Sequence, residues 1–563
     1  MIKTKIVSSL EKGFPSDSIS KFKELRSITA LKGERISFQL FHIYHFDNTF
    51  WNNRGLKATI DIEGELAKYA TMRDVCNVVV DRPTVQHSGT ADDNYISKGP
   101  GIFPDILRPL HHTAEGKESI SISGGTLMGV WIEVNVPKRI KAGKYPLTVN
   151  VTSPEEKTTV SKTVTVEIIN AVMPDEDIYF TQWFHCDCLA SYYNVKMWSK
   201  RHWEIIENFM RVAVKNGINM ILTPLVTPPL DTAIDGERPT TQLVGVNVNN
   251  GKYSFDFTLL DKWVKLCDKV GIKYFEMNHL FTQWGSAHAP KVMATVDGEY
   301  KKIFGWETDS TGDEYLGFLR EMLGAVIAHM KENGNDKRLF FHISDEPSER
   351  HLETYKKAKA GIADVLKGYP IMDALSHIEY YLDGTCEMPI PSNNRIKPFL
   401  DENIPGLWTN YCCSQAARVS NRFISMPACR NRSIGYQMYK YDIKGFLHWG
   451  YNFYYNDNSL DLINPYVQLD GNCWVPPGDA FSVYPNMDGT ALESSRIIVF
   501  FEALQDMKAM KLCEKLYDKA TVVKIIDEVI GCDVTFDDCA TNADQILEIR
   551  ERINALIKKK VRG

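Results

Sequence analysis

The sequence lacks the features that mark a membrane-spanning or nucleic-acid-binding protein. No apolar run approaches the ~20 residues that cross a bilayer, although 44% of the 563 residues are hydrophobic. Basic residues are not in excess, because 65 Lys and Arg stand against 71 Asp and Glu, giving a net charge of -6. Binding to phosphate backbones requires a basic surface. We therefore expect no membrane insertion and no nucleic acid partner. A neutral substrate is more compatible with this charge balance than a polyanionic one.

The 12 cysteines show no metal-binding or redox spacing. The close pairs are Cys186-x-Cys188 and Cys412-Cys413, and neither matches a zinc ribbon or a redox motif. The segment 185–188 (His-Cys-Asp-Cys) is also wrongly spaced for zinc, so no metal is predicted. The N-terminus is charged from its third residue and lacks an apolar signal region. These patterns predict reduced thiols in a cytoplasmic protein.

Residues 1–172 have the pattern of a β-sandwich. The runs 35–40, 129–136 and 145–151 alternate apolar and polar residues with period two, and Gly, Pro, Asn and Lys turns separate them. The run 161–169 reads as the last strand. The polar segment 173–177 (Met-Pro-Asp-Glu-Asp) follows it as a linker, which predicts a domain boundary near residue 172.

Residues 173–517 alternate short apolar strands with amphipathic helices, which favours a parallel sheet. Eight candidate strands fit a (β/α)8 TIM barrel: 178–185, 219–226, 273–280, 339–344, 370–378, 406–412, 445–451 and 479–484. A doubly wound open sheet is the alternative, but no Gly-x-Gly-x-x-Gly follows the first strand and no Gly-x-x-x-x-Gly-Lys-Ser/Thr occurs. Residues 518–563 are predicted to form a charged helical C-terminal tail.

Two adjacent carboxylates follow the fourth predicted strand. The stretch 339–344 is apolar enough to be a buried strand, and it runs directly into Asp345, Glu346 and Pro347. Helix capping explains one acidic residue before a proline, but it explains a second one less well. Strand ends are where α/β barrels place their catalytic groups. We therefore predict that Asp345 and Glu346 are catalytic.

Aromatic and polar residues cluster at the other predicted strand ends. Six of the 11 tryptophans lie there, at positions 183, 284, 306, 408, 449 and 474. Indole faces with neighbouring Asn and His side chains suit a pyranose, although tryptophans also cap barrel cores. The predicted sugar contacts are His185, Asn278, Trp408, Tyr411, Trp449, Asn452 and Tyr484.

Adjacency restricts what the two carboxylates can do. Retaining glycosidases place two carboxyls ~5 Å apart across the scissile bond, and inverting ones place them further apart. Sequence neighbours cannot easily flank a sugar in that way. They suit a mechanism in which the 2-acetamido group of the substrate is the nucleophile, one carboxylate holds its N–H, and the other protonates the leaving oxygen.

Three segments resemble glycoside hydrolase family 123, the β-N-acetylgalactosaminidases. They are 342–347 (His-Ile-Ser-Asp-Glu-Pro), 445–452 (Gly-Phe-Leu-His-Trp-Gly-Tyr-Asn) and 478–485 (Gly-Asp-Ala-Phe-Ser-Val-Tyr-Pro). The resemblance implies a β-sandwich before a (β/α)8 barrel and substrate-assisted, retaining release of terminal β-linked N-acetylgalactosamine, from glycosphingolipid-type glycans. It assigns Asp345 to the acetamide and Glu346 to general acid/base catalysis, and it implies no cofactor.

Two other functions are compatible with the residues. The first is an ordinary glycosidase that uses Glu346 as the acid and a separate carboxylate such as Glu379 as the nucleophile. The second is a non-catalytic glycan-binding protein, against which the intact Asp-Glu pair argues. The sequence predicts a carbohydrate partner in every case and predicts no oligomeric state.

Overall fold

The computed structural model describes residues 1–45, 55–84, 91–283 and 285–561. Strands dominate the N-terminal region, as the period-two pattern predicts. These strands are β1 (Ile2–Ser8), β2 (Ser27–Lys32), β3 (Arg35–Tyr44), β4 (Leu56–Glu63), β5 (Ala70–Val80), β6 (Gly101–Pro109), β7 (His111–His112), β8 (Glu118–Ile122), β9 (Met128–Asn135), β10 (Gly143–Ser153) and β11 (Thr158–Val172).

Strands and helices alternate in the rest of the chain. The strands are β12 (Tyr179–Gln182), β13 (Met220–Thr223), β14 (Gly245–Asn249), β15 (Lys252–Asp256), β16 (Tyr274–Met277), β17 (Val292–Val296), β18 (Glu299–Phe304), β19 (Leu339–Phe340), β20 (Met372–Ala374), β21 (Met388–Ile390), β22 (Trp408–Asn410), β23 (Gly445–His448), β24 (Val483–Pro485) and β25 (Ala491–Ser494). The helices are α1 (Cys186–Tyr192), α2 (Lys200–Lys215), α3 (Thr258–Val270), α4 (Asp313–Glu332), α5 (Leu352–Ala360), α6 (Glu379–Leu382), α7 (Lys397–Asp401), α8 (Ala428–Arg432), α9 (Ile434–Lys440), α10 (Ser495–Leu516), α11 (Lys519–Ile530) and α12 (Ala543–Val561).

Two sheets form the N-terminal region. One has the order β1-β3-β9-β5-β6-β25-β24, and the other has the order β2-β11-β10-β4-β8-β7. Alternate residues from both sheets, such as Phe38 and Ile132 on the first and Val149 and Val166 on the second, share one buried core. Burying one face of each sheet against the other gives the layered arrangement expected from the sequence.

A six-stranded parallel sheet, in the order β19-β16-β13-β12-β23-β22, is the main sheet of the region after residue 172. The short strands β20 and β21 form a separate parallel pair. An isolated parallel bridge joins Phe341 to Ile371 next to β20, and another joins Ser392 to Asn410 beside β21 and β22. The strands are buried on both faces, which explains their nearly continuous apolar sequences.

The structure corrects one of the predicted parallel strands and adds one that the sequence analysis missed. The stretch 479–484 does not join the parallel sheet, because β24 forms an antiparallel hairpin with β25, and β25 pairs with β6 of the N-terminal region. The turn of that hairpin contains Asp488-Gly489, a hairpin signal that outweighs the apolar run before it. Strand β21 was missed because it is three residues long and contains Pro389.

The C-terminal helices pack back onto the N-terminal region. Helix α12 lies against α10 and against strands β2 and β11. Arg550 of α12 donates to Glu34 at 2.7 Å and to Asp506 of α10 at 2.8 Å, and all three side chains are buried. The predicted helical tail is therefore confirmed, and its buried ion pairs connect it to both earlier regions. None of the helices in the described residues has the length and apolarity needed to cross a bilayer.

A second buried ion cluster joins the parallel-sheet region to the first N-terminal sheet. Glu493 of β25 accepts hydrogen bonds from Arg73 of β5, from Lys215 of α2 at 2.8 Å and from Asn216 at 2.6 Å. Burial opposes its ionisation, but Arg73 and Lys215 outweigh burial and lower the pKa of Glu493 to about 2. The charged form of Glu493 therefore stabilises the fold.

Replacing Glu493 with Gln should lower the free energy of unfolding by about 3–5 kcal/mol, since it leaves buried Arg73 without that carboxylate. The stabilisation from a lowered carboxyl pKa is present above the unfolded value near 4.3 and is lost as pH falls toward 2. Chemical denaturation between pH 7 and 3 measures both effects. Glu299→Gln, in an exposed pair with Lys301, is the matched control and should change stability by less than about 1 kcal/mol. Equal losses in the two variants would contradict this account.

Candidate active site

Asp345 and Glu346 lie in the loop that follows β19. Three contacts fix this loop: Ser344 Oγ donates to the Thr282 carbonyl at 2.8 Å, the Ile343 amide donates to Asp373 at 3.1 Å, and the Glu346 amide donates to the Ala374 carbonyl at 3.1 Å. Glu346 has a φ of 42°. A left-handed backbone is strained for a glutamate, and such strain is typical of functional sites.

The two carboxyls open into a cleft of about 520 Å³. Residues at the carboxyl ends of parallel strands line it, which is the edge where sheets of this type bind ligands. The lining residues are Trp183, Asp231, Asp345, Glu346, Ala374, Asn410, Tyr411, Cys412, Cys413, Leu447, Trp449, Trp474 and Val475. The cleft thus combines carboxyls with broad aromatic faces, as a sugar-binding site requires.

Trp449 is held in place by the segment around Asp479. The indole Nε1 donates to Asp479 Oδ2 at 2.9 Å, and the Trp449 ring meets the Trp474 ring edge-on with centroids 5.3 Å apart. Gly450 lies against the backbone of Ala480, where a Cβ would clash. The two sequence segments 445–452 and 478–485 therefore meet because a glycine lets their backbones approach closely.

A buried polar network supports the loop that carries Asp345 and Glu346. His342 lies between two carboxylates, with Nε2 2.7 Å from Glu276 and Nδ1 3.0 Å from Asp373. Burial disfavours its charge, but the two carboxylates outweigh burial and raise the pKa of His342 to about 10. Glu276 also accepts from Trp183 Nε1 at 2.7 Å. The network fixes Trp183 at the cleft floor and places a positive charge near Asp345.

Both carboxyls of the pair have raised pKa values. Burial, the neighbouring Glu346 and Asp231 raise the pKa of Asp345 well above its usual value, and His342 acts in the opposite direction. Glu346 faces the open cleft, yet the cleft walls desolvate it and raise its pKa as well. The protonated form of each carboxyl is therefore favoured more strongly than it would be in water.

Asp231 is a third carboxyl in the cleft, which the sequence analysis missed. It lies in the loop after β13 with a φ of 46°. Its carboxylate has no hydrogen-bond partner among the described residues, and burial raises its pKa to about 7. The only available signal was its place in a Pro-rich loop after the second predicted strand. Such a loop position is common to many acidic residues that have no role in a site.

Two of the seven predicted sugar contacts, Tyr411 and Trp449, line the cleft together with Asp345 and Glu346. Asn452 is used inside the protein, since its side chain accepts from the His185 amide at 2.9 Å and donates to the His185 carbonyl at 3.0 Å. His185 itself is buried and has its Nε2 3.0 Å from the Trp449 carbonyl. His185 and Asn452 therefore support the Trp449 segment from behind.

The other three predicted sugar contacts lie away from the cleft. Asn278 is buried and accepts from the Val226 amide at 3.2 Å. Trp408 begins β22, at the opposite end of the strand, and stacks on Tyr179 with ring centroids 5.3 Å apart. Tyr484 donates to Asp105 of the N-terminal region at 2.6 Å. A position near a predicted strand end is too coarse a criterion for a sugar contact. The sequence does not fix the bounds of a strand to within a few residues, and those bounds decide at which end of the sheet a residue lies.

The other predicted strand-end tryptophans and Glu379, the alternative nucleophile, differ in whether they line the cleft. Trp183, Trp449 and Trp474 line the cleft, whereas Trp306 donates to the Gly236 carbonyl at 3.0 Å in a neighbouring loop. Trp284 lies outside the described residues. Glu379 is exposed at the start of α6 and is absent from the lining of the cleft.

Two groupings of possible metal ligands do not fit a metal site. His279, His342 and Asp373 lie within 4.8 Å of one another, but both ring nitrogens of His342 are already taken by Glu276 and Asp373. In the segment 185–188, Asp187 pairs with Arg238 at 2.7 Å. These contacts already occupy His342, Asp373 and Asp187 in structural networks.

A polar groove of about 870 Å³ continues from the cleft past Glu346. Glu346, Ala374, Asn410 and Cys412 line both spaces. The groove is also lined by Pro347, Ser348, Leu375, Ser376, His377, Ser392, Asn394, Arg395, Ser414 and Gln415. No aromatic ring other than that of His377 is among these lining residues. We call this space the polar groove.

The cleft, with its carboxyl pair and indole walls, is the kind of site that glycoside hydrolases use. The model of the glycoside hydrolase 123 catalytic domain matches residues 183–513, more than half of the chain. The chain belongs to glycoside hydrolase family 123. No curated protein matches the sequence.

A family 123 glycoside hydrolase from Clostridium perfringens, described in a study of glycolipid glycan hydrolysis, has a similar structure. It is 16% identical, with a TM-score of 0.75 over 100% of this chain and 99% of that one. A β-glucuronidase from Parabacteroides merdae is 11% identical with a TM-score of 0.32, over 90% of this chain and 51% of that one. The first likeness shows a shared multidomain fold with a sheet-rich N-terminal region and a helical C-terminus.

Proposed function

We propose that this protein is an exo-acting, retaining glycosidase that releases terminal β-linked N-acetylgalactosamine by substrate-assisted catalysis. The observation that carries the proposal is the adjacency of Asp345 and Glu346 at one side of an indole-walled cleft in a family 123 chain. Neighbouring residues reach the same side of a sugar. They therefore suit an acetamido group and a leaving oxygen of one substrate.

A protonated Glu346 is the first requirement of this mechanism, and desolvation by the cleft walls raises its pKa in that direction. Asp345 must be ionised when it accepts the acetamide N–H, and the neighbouring His342 favours its ionised form.

The acetamido oxygen then attacks the anomeric carbon while Glu346 protonates the departing oxygen. The Asp345 carboxylate stabilises the oxazolinium cation that forms. Water, from which Glu346 takes a proton, opens this intermediate with retention. Trp449 and Trp474, which are partly exposed, offer faces on which the pyranose stacks.

Glycosphingolipid-type glycans are the proposed natural substrates, with the next sugar of the glycan in the polar groove. The groove meets the cleft at Glu346, where the acid must reach the leaving oxygen. Its wall is a hydrogen-bonded network: Ser376 and Ser392 hydroxyls are 3.0 Å apart, and Gln415 Nε2 donates to Asn394 at 3.1 Å. Such a wall suits a hydroxyl-rich sugar better than a lipid chain.

The strand arrangement supports a closed (β/α)8 barrel as the frame of this site. Six parallel strands end at β19 and β22, and the parallel pair β20-β21 reaches both of them through the bridges Phe341–Ile371 and Ser392–Asn410. We propose that these eight strands form one barrel. The domain limits proposed with it are 1–172, 173–517 and 518–563, with β24 and β25 of the second domain completing the first N-terminal sheet.

An ordinary glycosidase mechanism is the second candidate, and Asp231 is the observation that favours it. A carboxyl inside the cleft is better placed than exposed Glu379 to act as a separate nucleophile. However, burial raises the pKa of Asp231 to about 7, so that it is partly protonated at neutral pH. A carboxyl of this kind suits hydrogen bonding to sugar hydroxyls better than an obligatory anionic attack.

Replacing Asp231 with Asn separates these two roles. If Asp231 binds hydroxyls, kcat/KM should fall by roughly 10–100-fold, the cost of losing a hydrogen bond to a charged group. If Asp231 is instead the nucleophile, the Asp231→Asn variant should lose far more of its kcat/KM and should form no covalent intermediate. Asp235→Asn, an exposed residue of the same loop, is the control and should be neutral. Steady-state kinetics on an aryl glycoside provides the measurement.

Turnover of aryl β-N-acetylgalactosaminide against aryl β-N-acetylglucosaminide tests the proposed specificity. The proposal expects a clear preference for the galacto-configured sugar. Equal turnover, or a preference for the gluco-configured sugar, would overturn the assignment to N-acetylgalactosamine while leaving the acetamido mechanism in place.

A further inference from the structure

The cleft contains a pair of adjacent thiols that the proposed reaction does not use. Cys412 and Cys413 both line the cleft, and Cys412 also lines the polar groove. Both are free and partly exposed. The neighbouring Cys413 thiol and burial raise the pKa of Cys412 well above its usual value, so Cys412 is a protonated thiol. The pair is therefore a reduced dithiol beside Glu346.

The backbone around the two thiols is fixed. The Cys412 amide donates to Gln415 Oε1 at 2.8 Å, and the Cys412 carbonyl accepts from Asn421 Nδ2 at 2.8 Å. A dithiol held in this way is preorganised for a ligand that binds two sulfurs at once. The second bond is intramolecular, so it forms at a high effective concentration.

We propose that Cys412 and Cys413 form a binding site for trivalent arsenic compounds and that occupation of this site blocks the catalytic cleft. An arsenic(III) oxide group, R–As=O, forms two As–S bonds with the thiols. The As=O bond is lost, and the two thiol protons leave with its oxygen as one water molecule. Arsenic stays trivalent, so no oxidant or reductant is needed. The R group then fills the space between Glu346 and the indole wall.

Phenylarsine oxide is the probe for this site. The wild-type protein should bind one equivalent and lose turnover by roughly tenfold or more, because a dithiol retains the arsenic that single thiols release. A dithiol such as 2,3-dimercaptopropanol should restore activity, and an equal concentration of a monothiol should not. The measurements are intact-protein mass and residual turnover on an aryl glycoside.

Variants locate the site. Cys412→Ser and Cys413→Ser should each keep the same turnover with and without the probe, whatever their own basal activity. Cys532→Ser removes an exposed thiol in the C-terminal region and should respond like the wild type. Peptide mapping of the labelled wild-type protein finds the bridged cysteines even if a serine variant fails to fold.

Several results would overturn the proposal. They are an unchanged mass, arsenic bridged to cysteines other than this pair, or full turnover with the pair bridged. The mass and mapping results do not depend on the sugar that the enzyme hydrolyses. Failure of the arsenic site is therefore distinguishable from failure of the proposed glycosidase specificity.

Discussion

Glu346→Gln is expected to lower turnover of substrates with poor leaving groups by roughly 10²–10⁴ while sparing activated aryl glycosides. A glutamine cannot donate a proton to the leaving oxygen, and only poor leaving groups need that proton. The structure provides the requirements for this role, since Glu346 lies where the cleft meets the polar groove and has a raised pKa. Kinetics with alkyl and dinitrophenyl glycosides of the same sugar measures the difference.

The matched control is Glu349→Gln, three residues further along the chain and exposed. It should leave both kinds of substrate unaffected. If Glu346→Gln slows the activated and the poor substrates equally, Glu346 is not the general acid.

Asp345→Asn is expected to reduce hydrolysis of 2-acetamido sugars by a similar roughly 10²–10⁴-fold, with all leaving groups affected alike. Asparagine removes the negative charge that stabilises the oxazolinium cation, and protonation of the leaving oxygen does not compensate for it. It also removes a negative charge next to Glu346, so the pKa of Glu346 should fall and the alkaline limb of the pH–rate profile should move to lower pH. The measurement is kcat/KM against pH for both leaving-group classes.

An Asp345→Asn enzyme with near-normal turnover on 2-acetamido sugars would remove the substrate-assisted mechanism. Asp336→Asn, in the short turn before β19, serves as a control for a generic loss of one aspartate near this strand. It should retain wild-type kinetics.

The sequence alone was sufficient to place Asp345 and Glu346 after a strand of the parallel sheet and to locate most of the parallel strands. Adjacent carboxylates after an apolar strand are a local signal, and the fold then places them at the carboxyl end of the sheet. Seven of the eight predicted stretches contain a parallel strand of the structure. The eighth, 479–484, was wrong because pairing of β24 with β25 depends on β6, more than 370 residues earlier in the chain.

The walls of the cleft were less predictable for the same physical reason. Trp408 begins the short strand β22, whereas Trp449 directly follows β23. In strands this short, a shift of a few residues moves a side chain from one end of the sheet to the other. Asn452 and His185 are polar for structural reasons, since the Asn452 side chain bonds the amide and carbonyl of His185 and the His185 ring contacts the Trp449 carbonyl. Asp231 enters the cleft from a loop, whose course no periodic pattern specifies.

The central claim is that the substrate supplies the nucleophile. The most direct measurement compares wild-type turnover of an aryl 2-acetamido-2-deoxy-β-galactoside with that of the aryl β-galactoside carrying the same leaving group. The account predicts hydrolysis of the acetamido sugar and essentially none of the 2-hydroxy sugar, which lacks the attacking oxygen. Comparable turnover of the two would contradict it and would point to a protein nucleophile such as Asp231.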